Sequence, residues 1–204
     1  GDDIFDLDDS LRTGADKFYG GPGDDKYVID DVGDQAVELL DEGIDSIWVS
    51  IKEYHLPNNI EKVSALLESG AVLAGNNQHN QIDGNIGADV LSGLSGDDVI
   101  YGGDGDDEIF GGEGNDSLFG QAGADTFVFE SGFGQDIISD YNSVEDKILY
   151  NGVPLQDVDD ITKNISEEGY ETISFRDGSS ITFRGLEVEN EDSTSETEPN
   201  EDKA

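Results

Sequence analysis

Aspartate recurs every nine residues in the middle of the chain, a spacing that could assemble a row of carboxylates. Six nonamers follow one another without a gap from Gly75 to Val128, and the sixth position is Asp in all but the first copy, which has Asn80. Glycine opens every copy and fills the fourth position of all but the first, and the eighth position is always large and apolar. The copies are GNNQHNQID, GNIGADVLS, GLSGDDVIY, GGDGDDEIF, GGEGNDSLF and GQAGADTFV. A period this strict indicates a repeat architecture.

The parts of the nonamer predict a tight turn followed by a very short strand. The first six positions are rich in glycine, which adopts the positive backbone angles of a turn at little cost. The last three positions form a strand, and alternation points the apolar eighth residue to one face. Two nonamers then make one flattened coil, and stacked coils bury the apolar column between two parallel sheets. We therefore predict an all-β fold, a parallel β-roll or β-helix solenoid.

The same stacking places the aspartates in a column along the turns, and a column of carboxylates attracts cations. Rungs about 4.7–4.9 Å apart make neighbouring carboxylates repel by roughly 3 kcal/mol at an effective dielectric constant near 20. Calcium neutralises such a column well, because it takes six to eight oxygen ligands, backbone carbonyls included, in flexible geometry, whereas magnesium is stricter. Zinc is disfavoured because the chain has no Cys and two His, His55 and His79. The column predicts several bound calcium ions.

Two of the copies, GGDGDDEIF and GGEGNDSLF, match the GGxGxDxUx signature of RTX proteins. The chain resembles the RTX, or hemolysin-type, calcium-binding modules of secreted proteases, lipases, adhesins and mannuronan epimerases of Gram-negative bacteria. In that family a calcium ion lies between turns two repeats apart. The lower turn gives the carbonyls of positions 2 and 4 and its Asp, and the upper turn gives the carbonyls of positions 1 and 3 and its Asp.

The resemblance implies three sites in the array and assigns their ligands. The first site uses Asn85, Gly87 and Asp89 with Gly102, Asp104 and Asp107. The second uses Leu94, Gly96 and Asp98 with Gly111, Glu113 and Asp116. The third uses Gly103, Gly105 and Asp107 with Gly120, Ala122 and Asp125. The expected ligand set also includes Gly112 and Gly114 of the fifth copy. The first copy departs from the pattern at Gln78 and Asn80, which weakens the case for a site there.

A second, shorter array opens the chain. The segments LRTGADKFY from Leu11 and GGPGDDKYV from Gly20 carry Asp at their sixth positions, and LDEGIDSIW from Leu40 restores the pattern after a slip. By the same resemblance, a partial calcium site joins two sets of residues, Gly21, Gly23 and Asp25 below and Leu40, Glu42 and Asp45 above.

The chain divides into five expected regions. They are a first array with period slips (1–48), an irregular connector (49–74), the second array of six nonamers (75–128), a capping region (129–186) and a disordered acidic tail (187–204). We expect the connector to continue the solenoid, with an inserted loop or helix as the alternative. In the cap, Asp136 and Asp140 are candidate calcium ligands of the last coil, or exposed loop acids. A C-terminal β-hairpin is predicted around Asp177-Gly178.

Composition predicts folding that depends on calcium. The net charge is −39 over 204 residues, and self-repulsion of that size opposes compaction. Binding free energy at such sites is folding free energy, so the metal-free repeats are expected to be unfolded. Extracellular calcium modules bind at about 10⁻⁴–10⁻³ M, which favours folding outside the cell and fits the type I secretion that the resemblance implies. The absence of Met and the start in mid-repeat indicate a fragment of a longer secreted protein.

The sequence also bears on other classes of function. Neither histidine lies in a catalytic motif, so we expect no enzyme activity, and we expect a monomer with no membrane span and no nucleic-acid partner. Tyr101, Phe110 and Phe119 occupy the outward ninth position, and Tyr101 and Phe119 should stack on one sheet face. They could pack against a sugar ring unless the capping strands of 145–185 cover them. A module that binds a polysaccharide of the alginate type or a cell surface, or a rigid spacer of a large adhesin, is therefore the alternative.

Overall fold

Short parallel strands stack into two sheets, and the chain crosses from one sheet to the other with each half coil. The structure is a computed structural model that describes residues 1–5 and 14–184. Within these residues it contains no α-helix, and the parallel coils form a β-solenoid of about 8 turns. The predicted all-β solenoid is confirmed. The same residues include no helix with the length and apolar character needed to cross a bilayer.

The strands are short, most of them two to four residues long. In chain order they are β1 Ile4–Phe5, β2 Lys17–Tyr19, β3 Lys26–Ile29, β4 Gln35–Val37, β5 Ser46–Val49, β6 Glu53–His55, β7 Lys62–Ala65, β8 Val72–Ala74, β9 Gln81–Asp83, β10 Val90–Ser95, β11 Val99–Asp104, β12 Glu108–Glu113, β13 Ser117–Ala122, β14 Thr126–Phe129, β15 Gln135–Ile138, β16 Lys147–Tyr150, β17 Val153–Pro154, β18 Thr162–Ile165, β19 Glu171–Ser174 and β20 Ser180–Phe183. One sheet has the order β1-β3-β5-β7-β9-β11-β13-β15-β20-β19-β18, a second has the order β17-β16-β14-β12-β10-β8-β6, and β2 pairs with β4.

The core is the column of eighth-position side chains between the two sheets. Leu91 pairs with Ile109 and Ile100 pairs with Leu118, which sets a coil of 18 residues in the array. These side chains are fully buried, together with Ile82 and Phe127. Outside the array, as far as β16, the step between stacked residues ranges from 16 to 22 residues. The turns absorb the difference, because a slip within a strand would expose its apolar residue.

The strands of the array are longer than the three residues that the nonamer predicts. Each of β10, β11, β12 and β13 has 6 residues, because the first turn positions pair with the coil above as well. Leu94 pairs with Gly112 and Gly103 pairs with Gln121. This pairing holds the second position in the left-handed region even without glycine, with φ of 87° at Asn85, 76° at Leu94 and 70° at Gln121.

The segments on either side of the array use the same two sheets. Residues 49–74 contribute β6, β7 and β8. After β17 and a short 3-10 helix (Leu155–Asp157), β19 and β20 form an antiparallel hairpin around Asp177-Gly178. Because β20 pairs in parallel with β15, the strands β18–β20 extend the larger sheet beyond its edge and do not lie over its face. The tail 187–204, predicted to be disordered, lies outside the described residues, and so do residues 6–13 of the first array.

Candidate metal site in the stacked turns

The sixth-position aspartates form two buried ladders, one along each edge of the array. On one edge, the Asp89 backbone N–H donates to Asp107 Oδ1 (2.8 Å), and the Asp107 N–H donates to Asp125 Oδ1 (3.0 Å). On the other edge, the Asn80 N–H donates to Asp98 Oδ1 (2.7 Å) and the Asp98 N–H donates to Asp116 Oδ1 (2.8 Å). One oxygen of each carboxylate therefore accepts a hydrogen bond from the backbone of the preceding coil.

The ladders continue beyond the nonamers, onto residues that the repeat does not predict. The Asp125 N–H donates to Asp146 Oδ1 at 3.0 Å, and the Asp45 N–H donates to Glu61 Oε2 at 2.8 Å. Asp136 accepts from the Asp116 N–H at 3.0 Å. Asp146 and Glu61 carry a signal in the sequence, because each stands two residues before a buried apolar residue, as Asp107 stands before Ile109. Their spacing of 21 and 16 residues breaks the period and hides that signal.

The second oxygen of these carboxylates is buried and lacks a hydrogen-bond donor among the described residues. This holds in the array for Asp89, Asp98, Asp107 and Asp116, and in the next coil for Asp136, always at Oδ2. A buried polar atom without a partner is costly and rare in folded proteins. A row of such oxygens therefore points to a bound positive charge.

Burial makes these carboxyl groups hard to ionise in the absence of metal. Desolvation is the largest cause at every rung and outweighs the backbone N–H that favours the charged form. The resulting pKa values are about 6 for Asp89, Asp107, Asp116 and Asp125, about 7 for Asp98 and about 8 for Asp136.

The glycine that opens each nonamer leaves space beside the unpartnered oxygen. A Cβ atom on Gly84 would lie 2.7 Å from Asp89 Oδ2 and 2.2 Å from the Gly102 carbonyl oxygen. At Gly93 it would meet Asp98 Oδ2 and the Gly111 oxygen, and at Gly102 it would meet Asp107 Oδ2 and the Gly120 oxygen. These first-position glycines have no positive φ, so they are required for space and not for backbone conformation. The polar atoms that border each of these spaces are oxygens, the ligand atoms that a hard cation such as calcium prefers.

Several carbonyl groups of the expected ligand sets also join one coil to the next. The Asp104 oxygen accepts from the Gly87 N–H (2.6 Å), and the Glu113 oxygen accepts from the Gly96 N–H (2.9 Å). The Asn85 oxygen accepts from the Asp104 N–H at 2.9 Å. The Ala122 oxygen accepts in the same way, from Gly105. A carbonyl oxygen has two lone pairs, so each of these groups keeps one for a cation.

The first array brings together three acids, and one of them, Glu38, is not in the expected ligand set. Leu40 and Glu42 are expected ligands through their backbone carbonyls. The Glu42 side chain lies apart from the other acids, since its Oε2 accepts from the Leu39 N–H of its own loop (2.9 Å). The buried acid is Glu38, and its carboxylate lies within 4.8 Å of those of Asp25 and Asp45. Desolvation, then repulsion from Asp45 and Asp25, raises the pKa of Glu38 to about 7. Gly21 and Gly23 remain in the turn below, where the Gly23 N–H donates to the Glu42 oxygen (2.7 Å).

Asp140 is not a rung of either ladder. It is exposed, and its two carboxylate oxygens accept from the Gly120 N–H (3.0 Å) and the Gln121 N–H (2.9 Å). It therefore closes the last turn of the array. Fifth-position acids have a similar role that the sequence reading missed. Asp97 Oδ1 accepts from the Asn115 N–H, and Asp106 Oδ1 accepts from the Ala124 N–H, both at 2.9 Å.

Two ninth-position aromatic residues stack on the face of the larger sheet. The ring centroids of Tyr101 and Phe119 are 4.7 Å apart, with planes inclined by 21°. Both side chains are half-buried. The strands β18–β20 continue the sheet beyond β15 and do not cover this pair.

Among known families, the RTX calcium-binding nonapeptide repeat matches this chain. Its model matches four times, at residues 12–28, 72–100, 83–118 and 101–138. The matches fall on both arrays and reach the segment that contains Asp136. No curated protein matches the chain.

Proposed function

Because this chain belongs to the family of RTX calcium-binding nonapeptide repeats, we propose that it is the calcium-binding module of a larger secreted protein and that it folds when calcium binds. In this proposal the module is monomeric and non-catalytic. Its ions lie between stacked turns, held by the ladder aspartates and by turn carbonyls on the three ligand sets named for the array. Asp136 extends the second ladder by one rung.

The observation that carries the proposal is the set of buried carboxylate oxygens without a donor. The solenoid can form at neutral pH only if these oxygens are protonated or meet a cation, and protonation is incomplete above their raised pKa values. Calcium supplies the missing charge in the folded state, where the ligands are assembled, and has no equivalent site in an open chain. The binding free energy therefore adds directly to folding.

The cellular setting follows from the family and from calcium concentration. RTX repeats are typical of secreted bacterial proteins. Modules that bind calcium at about 10⁻⁴–10⁻³ M fill outside the cell but not in the cytosol. We infer that the chain leaves the cell unfolded, by type I secretion, and folds on meeting extracellular calcium.

Far-UV circular dichroism during a calcium titration tests the coupling of folding to binding. We expect little β signal in chelator at neutral pH, a cooperative gain with calcium, and a much weaker gain with magnesium. The comparison with magnesium controls for general screening of the net charge of −39. A β signal that is already complete in chelator would refute metal-coupled folding.

Polysaccharide binding is a second candidate function, favoured by the stacked pair Tyr101 and Phe119. A flat aromatic surface on a rigid sheet suits the apolar face of a sugar ring. We expect Tyr101→Ala to weaken binding to alginate in calcium, with Tyr170→Ala in the cap as the matched control. If the unaltered chain binds no polysaccharide, the rigid spacer of an adhesin is the better description.

A further inference from the structure

The turn after β4 differs from the turns that stack on each other within the six-nonamer array, because a buried acid stands where those turns have glycine. Tyr19 of β2 pairs with Val37 of β4, so the next residue, Glu38, lies beside Gly20. In the first four nonamers the residue that stacks on the first-position glycine is another glycine, which offers only its carbonyl oxygen. Above Gly120 the stacked residue is Asp140, which is exposed. After β4, the side chain of Glu38 enters the same space.

That space is bordered by the Asp25 and Glu38 carboxylates and the Tyr27 hydroxyl, and the Asp45 carboxylate lies close to the other two. A Cβ atom on Gly20 would lie 2.2 Å from Asp25 Oδ2 and 2.4 Å from Glu38 Oε1. One carboxylate oxygen from each of Asp25, Glu38 and Asp45 lies within 4.8 Å of the other two. The Tyr27 hydroxyl donates to Glu38 Oε1 and fixes the direction of that side chain.

Burial excludes the ordinary explanation of a solvated acidic cluster. Asp25 is 0% exposed, Glu38 is 5% exposed and Asp45 is 1% exposed. The oxygens Asp25 Oδ2 and Glu38 Oε2 have no hydrogen-bond donor within the described part of the chain. Asp25 Oδ2, which borders this space, and Glu38 Oε2, in the carboxylate that enters it, are therefore both unpartnered and shielded from water.

We propose that Asp25, Glu38 and Asp45 bind a calcium ion through three side-chain carboxylates. The site is distinct from those of the array, where each ion meets two carboxylates and turn carbonyls. It also adds to the ligand set expected for this region, which has Glu42 as a backbone-carbonyl ligand and does not include Glu38. The inference rests on the proposed function only for the identity of the ion. With one more negative ligand, the site should fill at a lower calcium concentration than the array.

Equilibrium dialysis with calcium alone tests the site on Glu38→Gln and Glu42→Gln. Both substitutions remove one charge, but only Glu38 faces the other two acids, so Glu42→Gln is the matched control. We expect Glu38→Gln to bind one ion fewer than the unaltered chain and Glu42→Gln to bind the same number. An unchanged number in Glu38→Gln overturns this inference while leaving the array function intact. A single ion in the unaltered chain, lost in Glu38→Gln, supports the inference and refutes the array function.

Terbium luminescence provides a second readout that does not require changing a ligand. Tyr27 is fully buried against the site, so its ring should sensitise a terbium ion bound there. We expect Tyr27→Phe to lose a clear part of the emission excited through tyrosine, and Tyr170→Phe, in the distant cap, to lose none. Equal emission from the two variants would contradict a cation beside Glu38.

Discussion

Replacing Asp107 by asparagine is expected to stabilise the metal-free fold and to destabilise the calcium-bound fold. The asparagine side chain is isosteric with that of Asp107 and keeps an oxygen that can accept from the Asp89 N–H. The substitution removes the charge of a side chain that is 2% exposed and whose Oδ2 has no donor among the described residues. The two effects have opposite signs because the buried charge destabilises the fold without calcium, whereas the carboxylate is a ligand when calcium is bound.

The magnitude without calcium follows from the pKa of Asp107, raised from 3.8 to about 6. The folded chain holds this proton more tightly than the unfolded chain, so the free energy of unfolding falls as pH rises from 3.8 to about 6. Above that window the full cost applies, about 3 kcal/mol for roughly two pKa units. At pH 7 in chelator, Asp107→Asn should recover up to that amount.

In the proposed ligand sets two ions share Asp107, one below its coil and one above, and these two ions set the magnitude with calcium. A site filled at about 100 times its dissociation constant stabilises the fold by about 2.7 kcal/mol, so two sites contribute about 5 kcal/mol. Subtracting the roughly 3 kcal/mol gained by removing the buried charge leaves a net loss of about 2 kcal/mol in calcium. The variant should therefore be the more stable chain in chelator and the less stable chain in calcium.

Urea unfolding followed by circular dichroism, in chelator and in calcium, measures both signs. Where the metal-free chain is too unstable for a full transition, the residual β signal in chelator serves instead. Asp106→Asn is the matched control, because it makes the same change of net charge at an exposed residue whose Oδ1 accepts from the Ala124 N–H. If Asp107→Asn shifts stability in the same direction under both conditions, the reasoning about a shared, buried ligand is wrong.

Three further predictions follow from the same geometry. In chelator, acidification from about pH 8 to pH 4 should increase the β signal. Burial raises the pKa of Asp136 to about 8 and that of Asp98 to about 7, so the folded chain takes up those protons before the unfolded chain does. A circular dichroism titration without any gain would contradict this. Gly102→Ala should abolish calcium binding at this turn without any change of charge. The added methyl group would lie 2.4 Å from Asp107 Oδ2 and 2.6 Å from the Gly120 oxygen. Unaltered calcium binding by calorimetry would exclude a site there. Leu94→Gly should stabilise the calcium form by about 1 kcal/mol in urea unfolding. The φ of Leu94 is 76°, and this left-handed backbone conformation is strained for residues that have a Cβ atom. A loss of stability would show that packing of the leucine matters more.

Periodicity predicts the parts of this fold that repeat by strict spacing. The alternation of nonamers assigns Leu91 and Ile109 to one sheet and Ile100 and Leu118 to the other, as found. The same alternation divides the aspartates into the ladder of Asp107 and the ladder of Asp98. Both results need only the period of nine and the two faces of a strand.

Features that depend on pairing between coils could not be predicted in this way. The extension of β10 and its neighbours into the turns arises from hydrogen bonds to the next coil, which no single nonamer encodes. Glu61 and Asp146 join the ladders through steps of 16 and 21 residues. Glu38 reaches Asp25 only because β2 and β4 pair in a register that puts it beside Gly20.

The attachment of β20 to β15 imposes a parity on the length of the array. Consecutive nonamers alternate between the sheets, so a duplication of two nonamers adds one strand to each sheet and one rung to each ladder. The hairpin then meets the same edge as before. A duplication of a single nonamer would instead deliver the segment that contains Asp136 to the opposite sheet, where the edge that receives Ile181 is absent. Duplication of whole coils therefore preserves the pairing of β20 with β15, and duplication of a half coil does not.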